Sequence, residues 1–142
     1  MDLIRRNTDY ALRIAAHLAK AFATGNPLSA RVLAKDNDVS YVLACKLLQK
    51  LAAAGLVNST MGPKGGFALT QAPETITFGQ VIEAVQGPIN VNRCLAVDFK
   101  CPRKKNCPVN PKLNEMQQQI NGFLNAVKLA EFAKTKGGQT HD

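Results

Sequence analysis

Three of the four cysteines in this chain, Cys94, Cys101 and Cys107, fall in one short stretch, with six and then five residues between them. Thiols grouped in this way suit a metal centre or a redox switch better than a structural bridge in a chain without an export signal. Structural zinc sites usually pair ligands about two to four residues apart, so the spacing fits zinc poorly. An iron-sulfur cluster is larger, is held by thiolates and tolerates a loop wrapped around it. The neighbouring Arg93, Lys100, Arg103, Lys104 and Lys105 would offset the negative charge of such a centre and would equally favour the thiolate form in a switch. Spacing and charge rank an iron-sulfur cluster first and leave a thiol switch and zinc open.

Charge is the second source of chemistry. Eighteen Lys and Arg against ten Asp and Glu give a net charge of +8, which points to a polyanionic partner, nucleic acid or an anionic membrane surface. The 142 residues suit one domain, or a small domain with an appendage. The longest apolar run, residues 51–57 counting Gly55, is seven residues, far short of the roughly 20 that a membrane span needs. Asp2, Arg5, Arg6, Asp9, Arg13 and Lys20 leave no room for a signal-peptide core. A cytoplasmic location and no membrane partner are therefore expected. No nucleophile stands beside a plausible base and no phosphate-binding loop is present, so no enzyme is expected.

The elements that must position these residues can be read from periodicity and punctuation. Residues 8–22 place Ala11, Ile14, Ala15, Leu18 and Phe22 on one helical face. After the Thr24-Gly25-Asn26-Pro27 turn, Ser29 can cap a short helix to about Lys35, which Asp36-Asn37-Asp38 breaks. Ser40 can cap the next helix, with Leu43, Leu47, Leu48 and Leu51 as its apolar stripe and Gly55 as its stop. Two short helices joined by a tight polar turn, the second one basic, form a helix-turn-helix. Leu56, Val57 and Met61 on one side and Phe67 and Leu69 on the other flank Gly62-Pro63-Lys64-Gly65-Gly66, a hairpin with a basic tip that makes the motif winged. Thr77 caps a further helix carrying Phe78, Val81, Ile82 and Val85, ended by Gly87-Pro88.

The expected architecture is mainly α with a small β-wing. Residues 1–88 form the winged helix-turn-helix DNA-binding domain, 89–110 the cysteine-rich loop, 111–134 a long dimerisation helix and 135–142 a flexible tail. The long helix is read from Leu113, Met116, Ile120, Phe123, Val127 and Ala130, spaced alternately by three and four as in coiled coils. Arg5, Arg6, Lys46, Lys50 and Lys64 are the candidates for phosphate or groove contact, and Ser40, Tyr41, Val42, Cys45 and Lys46 stand nearest to base edges.

The Thr8-Asp9-Tyr10-Ala11-Leu12-Arg13 segment, the Leu47-Leu48-Gln49-Lys50-Leu51 to Ala54-Gly55-Leu56-Val57 passage, the glycine-rich wing and the three-cysteine loop occur in one order. Together they resemble the IscR/NsrR family of bacterial winged-helix transcription regulators, over roughly residues 1–134. The resemblance implies a homodimer that binds palindromic promoter DNA with an affinity set by an iron-sulfur cluster sensing redox state, nitric oxide, iron or cluster supply. It also implies Cys94, Cys101 and Cys107 as cluster ligands. Where the cluster-supply regulator has a histidine ligand, three residues after the last cysteine, this chain has Asn110. Asp9 resembles the aspartate that the partner subunit contributes in the nitric-oxide sensor, which favours [4Fe-4S] over [2Fe-2S]. Asp98, His17, His141 and an exogenous water or thiol are the alternatives for that position. Met61 replaces the arginine that commonly precedes the wing glycine, and Cys45 stands where some members place a glutamate on the recognition helix. Two other readings remain: a cluster-free winged-helix regulator switched by thiol oxidation or a small effector, and an iron-sulfur redox or carrier protein.

Overall fold

Helix α1 (Arg6–Phe22) buries Thr8, Ala11, Ile14, Ala15, Leu18 and Ala19 along one face. The computed structural model describes residues 2–100 and 102–134, so Cys101, His141 and the expected tail lie outside the described residues. Phe22, expected in the core, is 40% exposed, because the inward-facing stripe ends on Ala19 and the last turn of α1 runs out over the surface.

The two helices that follow, α2 (Ala30–Asp36) and α3 (Tyr41–Ala53), are capped as their sequences require: Ser29 accepts from the Val32 N–H and Ser40 from the Leu43 N–H. Both also end in the same way. In α2 the Val39 N–H reaches back to the Ala34 carbonyl, and in α3 the Leu56 N–H reaches the Leu51 carbonyl. The residue before each donor, Asp38 or Gly55, has positive φ, at 54° and 78°. This closure satisfies helix-terminal carbonyls and turns the chain sharply. Val39 and Leu56 are thereby delivered into the core, which fixes the angle between α2 and α3 and the exit of the chain into the wing.

Strands β1 (Val57–Thr60) and β2 (Gly66–Leu69) pair antiparallel with Val57 opposite Leu69 and Thr60 opposite Gly66. Met61, expected to extend the first strand, lies beyond it and is 91% exposed. Leu28 adds one bridge to the other edge of β2, exchanging both backbone hydrogen bonds with Phe67. Gly66 makes this approach feasible: its φ is +150°, and a Cβ there would stand 2.5 Å from the Leu28 carbonyl oxygen.

Helix α4 (Phe78–Gln86) opens with a reciprocal capping box between Thr77 and Gln80. The single helix expected over residues 111–134 is instead two, α5 (Asn110–Ala126) and α6 (Ala130–Ala133). At the break the chain turns back on its own domain: the Phe78 N–H donates to the Val127 carbonyl and the Leu129 N–H to the Ile76 carbonyl. Leu129 is fully buried, and Phe78 holds α4, α5 and α6 together through ring contacts with Phe123 and Phe132. Burial of Leu129 and the backbone pairing outweigh continuation of the helical pattern. Among the described residues no helix is long and apolar enough to cross a membrane.

Gly66→Ala should lower the urea midpoint by an amount corresponding to about 2–3 kcal/mol, since it adds both a clash and an unfavourable φ. Gly122→Ala, in α5 with nothing within 4 Å of the added methyl group, should raise stability by up to about 1 kcal/mol. Equal effects at the two sites in chemical denaturation would contradict the assigned backbone geometry.

Candidate nucleic-acid interface and cysteine loop

The N-terminal half of α3 presents an exposed surface. The Ser40 hydroxyl is committed to capping, at 3.2 Å from the Leu43 nitrogen, while Tyr41 and Val42 are 45% and 64% exposed. Lys46 is exposed and Cys45 half-buried on the same helix. Arg31, on α2, lies over the Tyr41 ring at 4.5 Å. Such stacking holds a guanidinium and a phenol ring together at the head of the recognition helix. Arg31 was not among the residues picked out by sequence. Its place directly after the Ser29 cap and an alanine, on the short helix that crosses the backbone in this motif, is the signal that could have found it.

The remaining basic candidates divide between two places. Lys64 is exposed at the wing tip, inside a turn closed by the Gly65 N–H donating to the Gly62 carbonyl at 3.0 Å. Arg5, Arg6, Lys46 and Lys50 instead line one cleft where the start of α1 meets α3 and α4. Within this group Lys50 Nζ donates to the Val85 carbonyl in the last turn of α4 at 3.3 Å, a favourable place for a cation. Arg6 Nε donates to the Tyr10 hydroxyl at 3.2 Å. Gln86 clamps the preceding segment with both ends of its amide, accepting from the Arg5 N–H and donating to the Leu3 carbonyl.

The cysteine loop is ordered by amides. Gln117 of α5 accepts from the Val91 N–H and donates to the Ile89 carbonyl, both at 2.7 Å, and so pins the start of the loop. Cys94 and Cys107 are half-buried free thiols. The Cys94 sulfur accepts from the side-chain amides of Asn92 at 3.7 Å and Asn110 at 3.6 Å. Asn110 is 7% exposed, and its carbonyl oxygen accepts from the Asn114 amide at 2.9 Å. Both ends of its amide are therefore engaged, and Asn110 serves as a donor to Cys94. Arg93 stacks over the Phe99 ring at 4.8 Å. Neither Asn92 nor Asn110 was foreseen as a sulfur partner, because amide-to-sulfur bonds follow from the loop's path and not from spacing.

A cysteine sulfur that receives two amide N–H groups inside a basic loop suits ligation of iron. The surroundings of Cys94 therefore fit a ligand of an iron-sulfur cluster. Among the described residues no three His, Cys, Asp or Glu side chains gather to hold a single metal ion. Asp9 lies on α1, half-exposed, and pairs with Arg13 at 3.4 Å. His17 is engaged with Asn37 at 3.3 Å and lies 4.0 Å from Asp36, at the junction of α1 and α2. Asp98 is exposed in the loop.

A family model described as "Rrf2: Iron-dependent Transcriptional regulator" matches residues 4–135. The chain belongs to the Rrf2 family. A helix-turn-helix-type transcriptional regulator of Haemophilus influenzae is 32% identical over 114 residues, covering 80% of this chain and 75% of that protein. The transcriptional repressor NsrR of Streptomyces coelicolor is 27% identical over 131 residues, covering 92% of this chain and 88% of NsrR. The solved structure of CymR, described as the global cysteine regulator of Bacillus subtilis, superimposes with a TM-score of 0.76 at 27% identity, over 96% of this chain and 100% of CymR. This Rrf2 protein is accordingly a winged-helix, DNA-binding transcriptional regulator and not an enzyme.

Replacing Lys64 with Ala should leave the thermal melt of this Rrf2 protein unchanged and weaken its DNA binding to a similar degree across sequences. The slope of log affinity against log salt should fall in magnitude by about 0.9 per lost phosphate contact. Anisotropy titrations at several salt concentrations that show an unaltered slope would remove the wing tip from the interface.

Proposed function

We propose that this Rrf2 regulator is a homodimer whose affinity for palindromic promoter DNA is set by an iron-sulfur cluster on Cys94, Cys101 and Cys107, with the partner's Asp9 as fourth ligand and [4Fe-4S] as the cluster type. The observation that carries this reading is the Cys94 sulfur, which accepts two amide N–H bonds in a basic loop. Engagement of both ends of Asn110 favours a fourth ligand from elsewhere, and half-exposed Asp9 is available to a second subunit once it exchanges Arg13. The dimer reading draws on α5, where Met116 and Phe123 of the apolar stripe are 53% and 62% exposed.

When bound, the cluster supplies a centre that reacts with oxidants and nitric oxide. The chain's own residues do the rest. Asn92 and Asn110 orient the Cys94 sulfur by donating to it, and Gln117 holds the loop against α5. The first turn of α1 carries Asp9 next to the DNA-facing cleft. Two copies of α3, with Tyr41, Val42 and Cys45 toward the bases, Lys46 at the groove edge within reach of bases and backbone, and Arg5, Arg6, Lys50 and Lys64 toward the backbone, read half-sites about one helical turn apart. Loss of the tie through Asp9 changes the angle between subunits and hence the fit to both half-sites, and DNA reciprocally affects cluster retention.

Likeness to CymR, described as a cysteine regulator, together with two free thiols in one basic loop, favours a second reading in which thiol oxidation is the switch. Family membership sets aside the carrier reading. The deciding measurement is an iron and acid-labile sulfide count, with an optical spectrum, on protein purified without oxygen. About four irons per chain and a broad band near about 400 nm are expected, with cluster loss accelerated in Asp9→Ala. Iron-free protein from an iron-replete preparation, with a reversible loss of two hydrogens on oxidation, would replace the cluster with the thiol switch.

A further inference from the structure

The cleft between α1, α3 and α4 has a volume of about 500 Å³, and Arg5, Arg6, Lys46 and Lys50 line it with no carboxylate among the lining residues. Two further features of its wall belong together. Helix α1, seventeen residues long, begins without a side-chain cap: Arg5 occupies the N-cap position and offers no acceptor. Its first-turn N–H groups and the positive end of its dipole thus stand beside four cations, a combination that attracts an anion with several oxygens. Thr8 also lines this cleft, and its Oγ1 is buried with no hydrogen-bond partner among the described residues. A buried hydroxyl without a partner is rare in folded proteins and calls for a ligand or water to complete it.

We infer that this cleft seats one backbone phosphate of bound DNA per protomer, held by Arg5, Lys46, the first turn of α1 and the Thr8 hydroxyl. The inference rests on the DNA-binding reading and goes beyond it by assigning a defined seat for one phosphodiester. DNA is the favoured source because Lys46 belongs to the recognition helix, so a strand bordering the groove that α3 enters passes the mouth of the cleft. Lys50, tied to the Val85 carbonyl, holds α3 to α4 and keeps the wall in place. A phosphate seated here contacts α1 and α3 at once and fixes the tilt of the recognition helix, a positioning role distinct from base readout.

The test uses the full-length protein and a duplex selected by it from a random library, synthesised as a series with one neutral methylphosphonate at each backbone position in turn. Neutralising one phosphate per half-site should weaken wild-type binding about tenfold, and the same substitution should cost under about twofold in Arg5→Gln and in Thr8→Val. Penalties at other positions should be shared by wild type and variants. Tight binding of the selected duplex with no phosphate whose penalty disappears in the variants would overturn the seat and leave the DNA reading intact. Failure to select any duplex would remove both. Calorimetry with inorganic phosphate separates the remaining source: saturable binding lost in Arg5→Gln, without the methylphosphonate coupling, would reassign the cleft to a free anion. Arg5 is exposed, so its variant reports even if Thr8→Val fails to fold.

Discussion

Burial of one face of α1 is the constraint on which the arrangement depends. Helices α3, α4 and α6 and strand β2 all pack against α1. Ala11, Ala15 and Ala19 on that face are small enough to admit neighbours closely, while Ile14 and Leu18 fill the space between them. Each aliphatic side chain fully buried in this way contributes about 1.5–3 kcal/mol before chain entropy is counted. Because α1 is held on several sides, residues 5–9 at its start cannot move independently of the recognition helix. The basic cleft and the proposed intersubunit ligand are both placed on that first turn.

The polar residues act as fasteners between this frame and the segments that lack regular structure. Gln86 holds the N-terminal segment, Gln117 the start of the cysteine loop, and Asn110 the Cys94 sulfur. Amide side chains suit the task because each carries a donor and an acceptor and can close on a backbone from both ends. Thr8 and Asp9 are consecutive, so a phosphate in the cleft and a cluster on the partner would bear on adjacent residues of one helical turn. This is a physical route for coupling, since the element both sites bias is the same rigid turn.

Much of the fold was legible in the sequence because its boundaries are written in local chemistry. Ser29, Ser40 and Thr77 cap the helices that follow them, and Gly55 and Gly87 adopt the positive φ that ends others. What the sequence hid depends on tertiary contact. Val127 and Ala130 continue the three-and-four spacing of α5, yet backbone pairing with Ile76 and Phe78 breaks the helix between them. Phe22 satisfies the periodicity of α1 but lies past the end of the buried stripe. In the candidate site, the clustered cysteines and the basic residues could be named from composition. That Asn110 donates to sulfur, that Arg31 stacks on Tyr41, and that Arg5, Lys46 and Thr8 share one cleft are consequences of how α1, α2, α3 and α5 meet, which no spacing encodes.

The backbone pairing of Leu129 with Ile76 and the packing of α6 on α1 also bear on how the molecule is made. Helix α1 has its apolar face covered in part by α6, a segment more than a hundred residues later in the chain, so closing the winged-helix core requires a contact of long sequence separation. Contacts of such long sequence separation form late and slow folding. A chain stalled before α6 leaves the part of α1 that α6 covers open to solvent and to chaperones. The frame around α1 is therefore complete only once α5 and α6, on the far side of the cysteine loop, have been synthesised and packed.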